Sequence, residues 1–189
     1  MTAPQIDYAA FYCEENIWRL CQNPALADMD CDVVFISNHA RQCALWGQRA
    51  GRSGDGLVLW DYHVVLLARG EQGAQIWDLD AMAGCPLAFE AWWEASWPRV
   101  VTAPRAMRPL FRVVARARFV EVFSSDRGHM CAGGVWSAAP PAWPRIGSGP
   151  SNLMEFVSMR EGFEGRVMEA GAFEAYARVS GSQRVKTEP

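Results

Sequence analysis

No run of lysines or arginines occurs in the 189 residues, and the formal charge is -3, so the electrostatic footprint of a nucleic-acid or anionic-membrane binder is missing. No apolar segment reaches bilayer-spanning length, and the first twenty residues lack the basic start and apolar run of a secretory signal. A soluble, cytoplasmic protein is expected, with no nucleic-acid or membrane partner. Cys-x-x-Cys pairs are absent and the three histidines (His39, His63, His129) are far apart, which leaves a structural zinc site without local support. The six cysteines (Cys13, Cys21, Cys31, Cys43, Cys85, Cys131), with no export signal before them, read as reduced thiols rather than a disulfide framework. Internal repeats are also lacking. With 50% hydrophobic and 21% charged residues, the chain suits one well-filled domain over 1–189, including an N-terminal arm at 1–10 and a polar tail at 180–189.

Against these absences stands Tyr12-Cys13-Glu14-Glu15-Asn16-Ile17-Trp18-Arg19-Leu20-Cys21, which places a cysteine at the start of a helix expected over Cys13 to Gln22. Unpaired N–H groups and the positive dipole end at a helix start favour thiolate and can hold an oxyanion. Cys13, Ile17, Leu20 and Cys21 share one face, with Glu14, Glu15 and Arg19 nearer the other. The two acids suit the dipole but oppose a neighbouring thiolate.

Strands are expected at Cys31 to Ser37 and Cys43 to Trp46. The glycine-rich Gly51 to Gly56 reads as a loop, and it leads into the most apolar run, Leu57 to Leu67. Alternation along that run sets Asp61 and His63 on one face. A turn at Arg69 to Gln72 returns the chain as Gly73 to Asp80. A four-residue loop pairs Ala68 with Gly73 and sets His63 opposite Asp78. A register shifted by two sets Asp80 there instead, and a slip of one turns both acids away, so the pattern leaves the choice open.

Beyond Asp80, helices are expected over Phe89 to Trp97, Arg116 to Phe123, Asn152 to Met159 with Ser151 as a cap, and Ala170 to Val179, with a strand over Leu110 to Val114. Ser124 to Met130 is a polar loop, and the Gly-, Ala- and Pro-rich segment 131–149 is expected to be irregular.

A cysteine on an early helix, a histidine on a later strand and a carboxylate later still follow the chain order of papain-like enzymes. The fold class expected is α+β, a papain/transglutaminase-like cysteine hydrolase core with the nucleophile at the N-terminus of a helix packed on a mainly antiparallel sheet. The blocks Tyr12-Cys13-Glu14-Glu15-Asn16-Ile17-Trp18, Val34 to Asn38, Gly54-Asp55-Gly56, Trp60 to Leu67, Asp78-Leu79-Asp80, Ser125-Asp126-Arg127 with His129-Met130, and Asn152-Leu153 with Phe156 and Ser158-Met159 resemble the protein N-terminal glutamine amidohydrolase family. The resemblance implies a triad of Cys13, His63 and Asp78, so it selects Asp78 where pattern does not. It implies hydrolytic deamidation of an N-terminal glutamine in protein or peptide substrates through a thioester, with no metal or organic cofactor and a product that feeds an N-degron pathway.

The substrate's α-ammonium needs acceptors. Asp126 with Ser125 is the first choice, with Glu14 and Asp61 as rivals. The chain is expected to act as a monomer. Other readings of the same residues are a cysteine peptidase or transglutaminase-like acyltransferase, or a non-catalytic peptide-binding module lined by some of the nine tryptophans.

Overall fold

The β-branched and aromatic run at Asp30–Ser37 forms β1, the strand on which the other layers are laid. The structure, a computed structural model, describes residues 6–98 and 104–179. In chain order, α1 spans Cys13–Leu20, β2 Cys43–Leu45, β3 Val58–Trp60, β4 His63–Gly70, β5 Gly73–Trp77, β6 Leu87–Ala88, α2 Phe89–Ser96, β7 Leu110–Ala115, α3 Arg116–Val122, β8 Cys131–Ala132, β9 Val135–Trp136, α4 Leu153–Val157, β10 Arg166–Glu169 and α5 Ala170–Arg178.

Six strands form one sheet in the order β10-β7-β1-β4-β5-β6, and every ladder in it is antiparallel. Strand β1 is buried from Cys31 to Ser37 without alternation, so both faces of the sheet are covered there. Val33 and Phe35 point, with Val64 and Leu66 of β4, into a layer containing Leu20, Phe119, Leu153 and Phe156 from α1, α3 and α4. Val34, Ile36, Val65 and Leu67 point the other way, against Phe89 and Trp92 of α2, Trp97, and Phe173 of α5. The expected α+β class with a mainly antiparallel sheet is what the described residues show.

One cation is fully enclosed. Arg112 of β7 has no exposed surface. It donates to the carbonyl oxygens of Phe156, Ser158, Arg160 and Glu164, and so ties the segment after α4 to the sheet. A guanidinium suits this position because its five donors are held in a fixed planar fork.

Several expectations change. The single strand over Leu57 to Leu67 is two strands: β3 pairs with β2, the chain turns at Asp61 and Tyr62, and β4 starts at His63. Asp61 is exposed, and its Oδ1 accepts from the Tyr62 N–H at 2.9 Å, so it does not share a buried strand face with His63. The hairpin loop is two residues, with Gly70 opposite Gly73 and Ala68 opposite Gln75 rather than Gly73. Gly73 accepts φ 95° there, which permits the tighter turn.

The polar side of α1 is not a solvent face, because Glu14, Glu15 and Asn16 are all buried. Segment 131–149 holds the short β8–β9 hairpin, turned by Gly133 and Gly134 at φ 56° and 82°. Strands β6 and β10 were not anticipated, and α1 ends two residues early. Within the expected arm Ala9 is tied to α1: the Asn16 side-chain amide accepts from the Ala9 N–H and donates to the Ala9 carbonyl, both at 2.8 Å. Residues 1–5, 99–103 and the tail 180–189 lie outside the described residues.

Candidate active site

Cys13 is the first residue of α1, behind Tyr12 at the cap position. The helix packs on β4, and the backbone N–H of Val64, one residue past His63, stabilises the sulfur's charged form. Even so, the thiol pKa is pushed well above its ordinary value, first by burial and then by the charges of Glu14 and Asp80. The hydrogen bond the thiol makes is to Glu14 Oε2 at 3.6 Å. A helix start alone therefore does not hold Cys13 as a thiolate.

His63 opens β4, buried, opposite Ile36. Its Nε2 lies 2.9 Å from Asp78 Oδ1, and its Nδ1 is buried without a hydrogen-bond partner. Burial alone would lower the imidazole pKa. The Asp78 charge and hydrogen bond outweigh it, helped by Asp80 and Glu14, so the net shift is upward. Glu14 and Asp80 thus act on both the thiol and the imidazole, which places the two groups in one electrostatic environment.

Asp78 reaches His63 by a different route from the one expected. Continuing the β4–β5 register would set Asp80 opposite His63, but β5 ends at Trp77 and the chain turns. The Asp80 N–H bonds back to Asp78 Oδ1 at 3.1 Å, an Asx-type turn that swings the Asp78 carboxylate toward the imidazole. Its Oδ2 accepts from Gln48 Nε2 and Trp92 Nε1, both at 3.0 Å. Burial would raise this carboxyl's pKa, but the His63 charge and three side-chain hydrogen bonds pull it below the usual range. Gln48 and Trp92 were not anticipated. Gln48 carries no sequence signal, whereas Trp92 lies in the expected α2 helix and an indole N–H normally finds an acceptor when buried.

His63, Asp78 and Asp80 offer ligand atoms that all lie within 4.8 Å of one another, tight enough to hold a cation. An ion there would compete for Asp78 with the imidazole, Gln48 and Trp92. Asp80 also accepts from the Tyr8 hydroxyl at 2.5 Å.

The four candidate substrate-binding residues separate. Ser125 is buried and donates to Glu15 Oε1 at 3.1 Å. Asp126 is exposed and accepts from the Gly128 N–H at 2.8 Å, while Asp61 caps its own turn. Glu14, by contrast, is fully buried beside the thiol. Its Oε2 takes the Tyr62 hydroxyl at 3.1 Å, and its Oε1 has no hydrogen-bond partner. Burial raises the Glu14 pKa to about 7, against hydrogen bonds from its own N–H and from Tyr62. His129 Nε2 stands 3.6 Å from Oε1, but burial lowers the pKa of that imidazole. It is therefore a weak source of positive charge near neutral pH. Glu15 is satisfied by Arg127 Nε and Nη2 at 2.9 and 2.8 Å and by Trp143 Nε1 at 2.8 Å.

A thiol at a helix start and an imidazole bonded to a carboxylate, both under the charges of Glu14 and Asp80, are residue types that amide-hydrolysing enzymes use. The sequence profile described as N-terminal glutamine amidase matches residues 8–177, and the chain belongs to that family of amidohydrolases. It is 36% identical over 169 residues to the protein N-terminal glutamine amidohydrolase of Caenorhabditis elegans, covering 87% of this chain and 91% of that one. The Homo sapiens protein of that name is 40% identical over 160 residues, with 80% and 78% covered. The one from Arabidopsis thaliana is 35% identical over 173 residues, with 84% and 78% covered. Among the described residues no helix is long and apolar enough to cross a membrane.

Proposed function

We propose that the chain, as a single catalytic domain with a papain/transglutaminase-like core, deamidates N-terminal glutamine in proteins or peptides through a Cys13, His63 and Asp78 triad. The observation that carries the reading is the buried, unpartnered Nδ1 of an imidazole whose other nitrogen is bonded to Asp78. With Nε2–H donating to Asp78, Nδ1 presents a lone pair to the thiol proton. The raised thiol pKa requires this base at the moment of attack.

His63 takes the Cys13 proton as sulfur attacks the glutamine side-chain amide carbon. The oxyanion forms against the Cys13 N–H at the helix start. The imidazolium returns the proton to nitrogen, the C–N bond breaks and ammonia leaves. Water then gives a proton to His63 as its oxygen attacks the thioester, and the C–S bond breaks to give N-terminal glutamate and the thiol. Asp78 holds the imidazole tautomer and stabilises its cation. Each step is closed by these side chains and water.

Glu14 is the α-ammonium acceptor in this scheme. Its Oε2 is bonded to the thiol, its buried Oε1 has no hydrogen-bond partner, and ionisation near pH 7 leaves the carboxylate ready for a cation. Asparagine, one methylene shorter, cannot hold its amine there and present its carbonyl carbon to sulfur. The test is ammonia release, with a one-dalton mass gain, from a Gln-initiated peptide. Cys13→Ala should abolish it while the circular dichroism spectrum is retained, and an N-acetylated peptide should be refused by the unmodified protein. Activity surviving Cys13→Ala removes the triad, and equal turnover of the acetylated peptide removes the amine site.

A further inference from the structure

Arg112 is enclosed with its charge uncompensated. Among the described residues its guanidinium is held by carbonyl oxygens, and no carboxylate is among its hydrogen-bond partners. Burial lowers its pKa, and the charge of Glu161 offsets only part of that. A buried cation normally has an anion beside it, because desolvation without one is costly. The carbonyls of Ser158 and Arg160 turn inward to Arg112. A trans peptide holds its N–H opposite its carbonyl, so the Met159 N–H is turned away from the guanidinium.

A cavity of about 380 Å³ is lined by Ser158, Met159 and Arg160 of this segment, by Met154 of α4, and by His39 and Arg41 of the turn that leaves β1. That turn is wound around buried Asn38, whose Oδ1 accepts from the Ala40 and Gln42 N–H groups at 3.1 and 3.0 Å and whose Nδ2 donates to the Gln42 carbonyl at 2.8 Å. Arg41 is held there at φ 51°, a left-handed conformation that persists in a non-glycine residue only when its surroundings impose it. The Arg41 guanidinium donates to the Met154 sulfur at 3.3 Å, a weak acceptor. Among the described residues the ion pairs include neither Arg41 nor Arg160. Three basic side chains and no acid thus line a concavity in a chain of net charge -3. None of Cys13, His63 and Asp78 lines it, so the site stands apart from the proposed chemistry.

We propose that this cavity binds a phosphomonoester of nucleotide size, with the phosphoryl group between Arg41 and Arg160 and the body of the ligand against Met154 and Met159. Guanidinium groups pair bidentately with phosphate oxygens, and the phosphoryl group displaces the weak sulfur acceptor from Arg41. The buried charge of Arg112, behind the same segment, adds attraction that salt screens little. The two thioethers are polarizable and adapt to a ring laid against them. The cavity is larger than inorganic phosphate needs and falls within the size range of small-molecule sites.

Titration calorimetry of the full chain with adenosine monophosphate, inorganic phosphate and adenosine separates the two halves of the site. The nucleotide should bind at least about tenfold more tightly than phosphate, and adenosine should not saturate. Arg41→Gln and Arg160→Gln, both at exposed positions, should each weaken the nucleotide about tenfold or more, the size of a lost charge-assisted hydrogen bond, and should melt without ligand where the unmodified protein does. No saturable binding of the nucleotide, or an affinity that survives both substitutions, overturns the site. Equal affinity for nucleotide and phosphate overturns the contact with the methionines. A phosphoserine peptide that binds more tightly than the nucleotide overturns the small-molecule assignment.

Discussion

Replacing Arg127 by alanine tests how the helix that begins at Cys13 is anchored. Glu15, with no exposed surface, sits in the first turn of α1 and takes four hydrogen bonds: two from Arg127, one from Ser125 and one from Trp143. The Arg127 side chain is 10% exposed and also donates to the carbonyls of Pro141, Trp143 and Pro144. Deleting the guanidinium leaves a buried carboxylate with two neutral donors, which costs roughly 3–5 kcal/mol. For a chain of this length each kcal/mol moves the melting temperature by about 2–4 °C, so Arg127→Ala should melt about 6–20 °C lower. Urea unfolding followed by circular dichroism should show the midpoint falling with the slope unchanged. Removing both charges with Glu15→Gln and Arg127→Met should cost at least about 1 kcal/mol less than the sum of the single changes, because the second loss relieves the first. If Arg127→Ala costs under about 1 kcal/mol and the double variant is additive, water already screens the pair, and the loop from Ser124 to Ile146 is not what holds α1.

Asp78→Asn should lower kcat by roughly a thousandfold or more, as loss of the orienting acid does in such triads. It should also move the acid limb of the pH–rate profile down, because without the Asp78 charge burial lowers the His63 pKa. A limb that stays in place would mean that Asp78 does not set the imidazole. Glu14, with its carboxyl raised from 4.5 to about 7, favours the folded state fully below pH 4.5, and that contribution is lost as pH rises through 7. The loss amounts to roughly 3 kcal/mol. Urea midpoints at pH 5 and pH 8 should therefore diverge less in Glu14→Gln than in the unmodified protein, and equal divergence would refute the shift. Gly165→Ala should destabilise by about 2 kcal/mol or more in the same measurement. Its φ is 78°, and an added Cβ would stand 2.3 Å from the Val113 carbonyl oxygen, so a neutral result would show that β10 can shift off β7.

Local features were legible from sequence because they have local causes. β1 follows from its β-branched run, α2 and α5 from their periodicity, and the helix start at Cys13 from the residues around it. The imidazole and Asp78 were recognisable as types, but the paired-strand geometry invoked for them was not the one that operates. Pattern fixes which face a residue takes only while the strand lasts, and β5 ends one residue before the acid. That Glu14 and Glu15 are both fully buried was not legible, because charge at a helix start is usually exposed. Arg127, Ser125 and Trp143, more than a hundred residues away, satisfy Glu15, and Tyr62 donates to Glu14; such satisfaction leaves no periodic trace. Gln48 was hidden for the same reason. Arg166-Val167-Met168-Glu169 is too short to read as a strand alone, and β7 makes it one.

Arg112 has a consequence for the order of synthesis. Every side chain in the proposed chemistry emerges from the ribosome within the first 80 residues, yet β1 lacks its second neighbour until β7 follows. Once β7 is made, its buried cation waits for the carbonyls of Phe156, Ser158, Arg160 and Glu164. A nascent chain thus carries Cys13 long before the scaffold around it can close. A fragment that ends before those carbonyls retains the whole proposed triad in sequence but strands Arg112 without its acceptors.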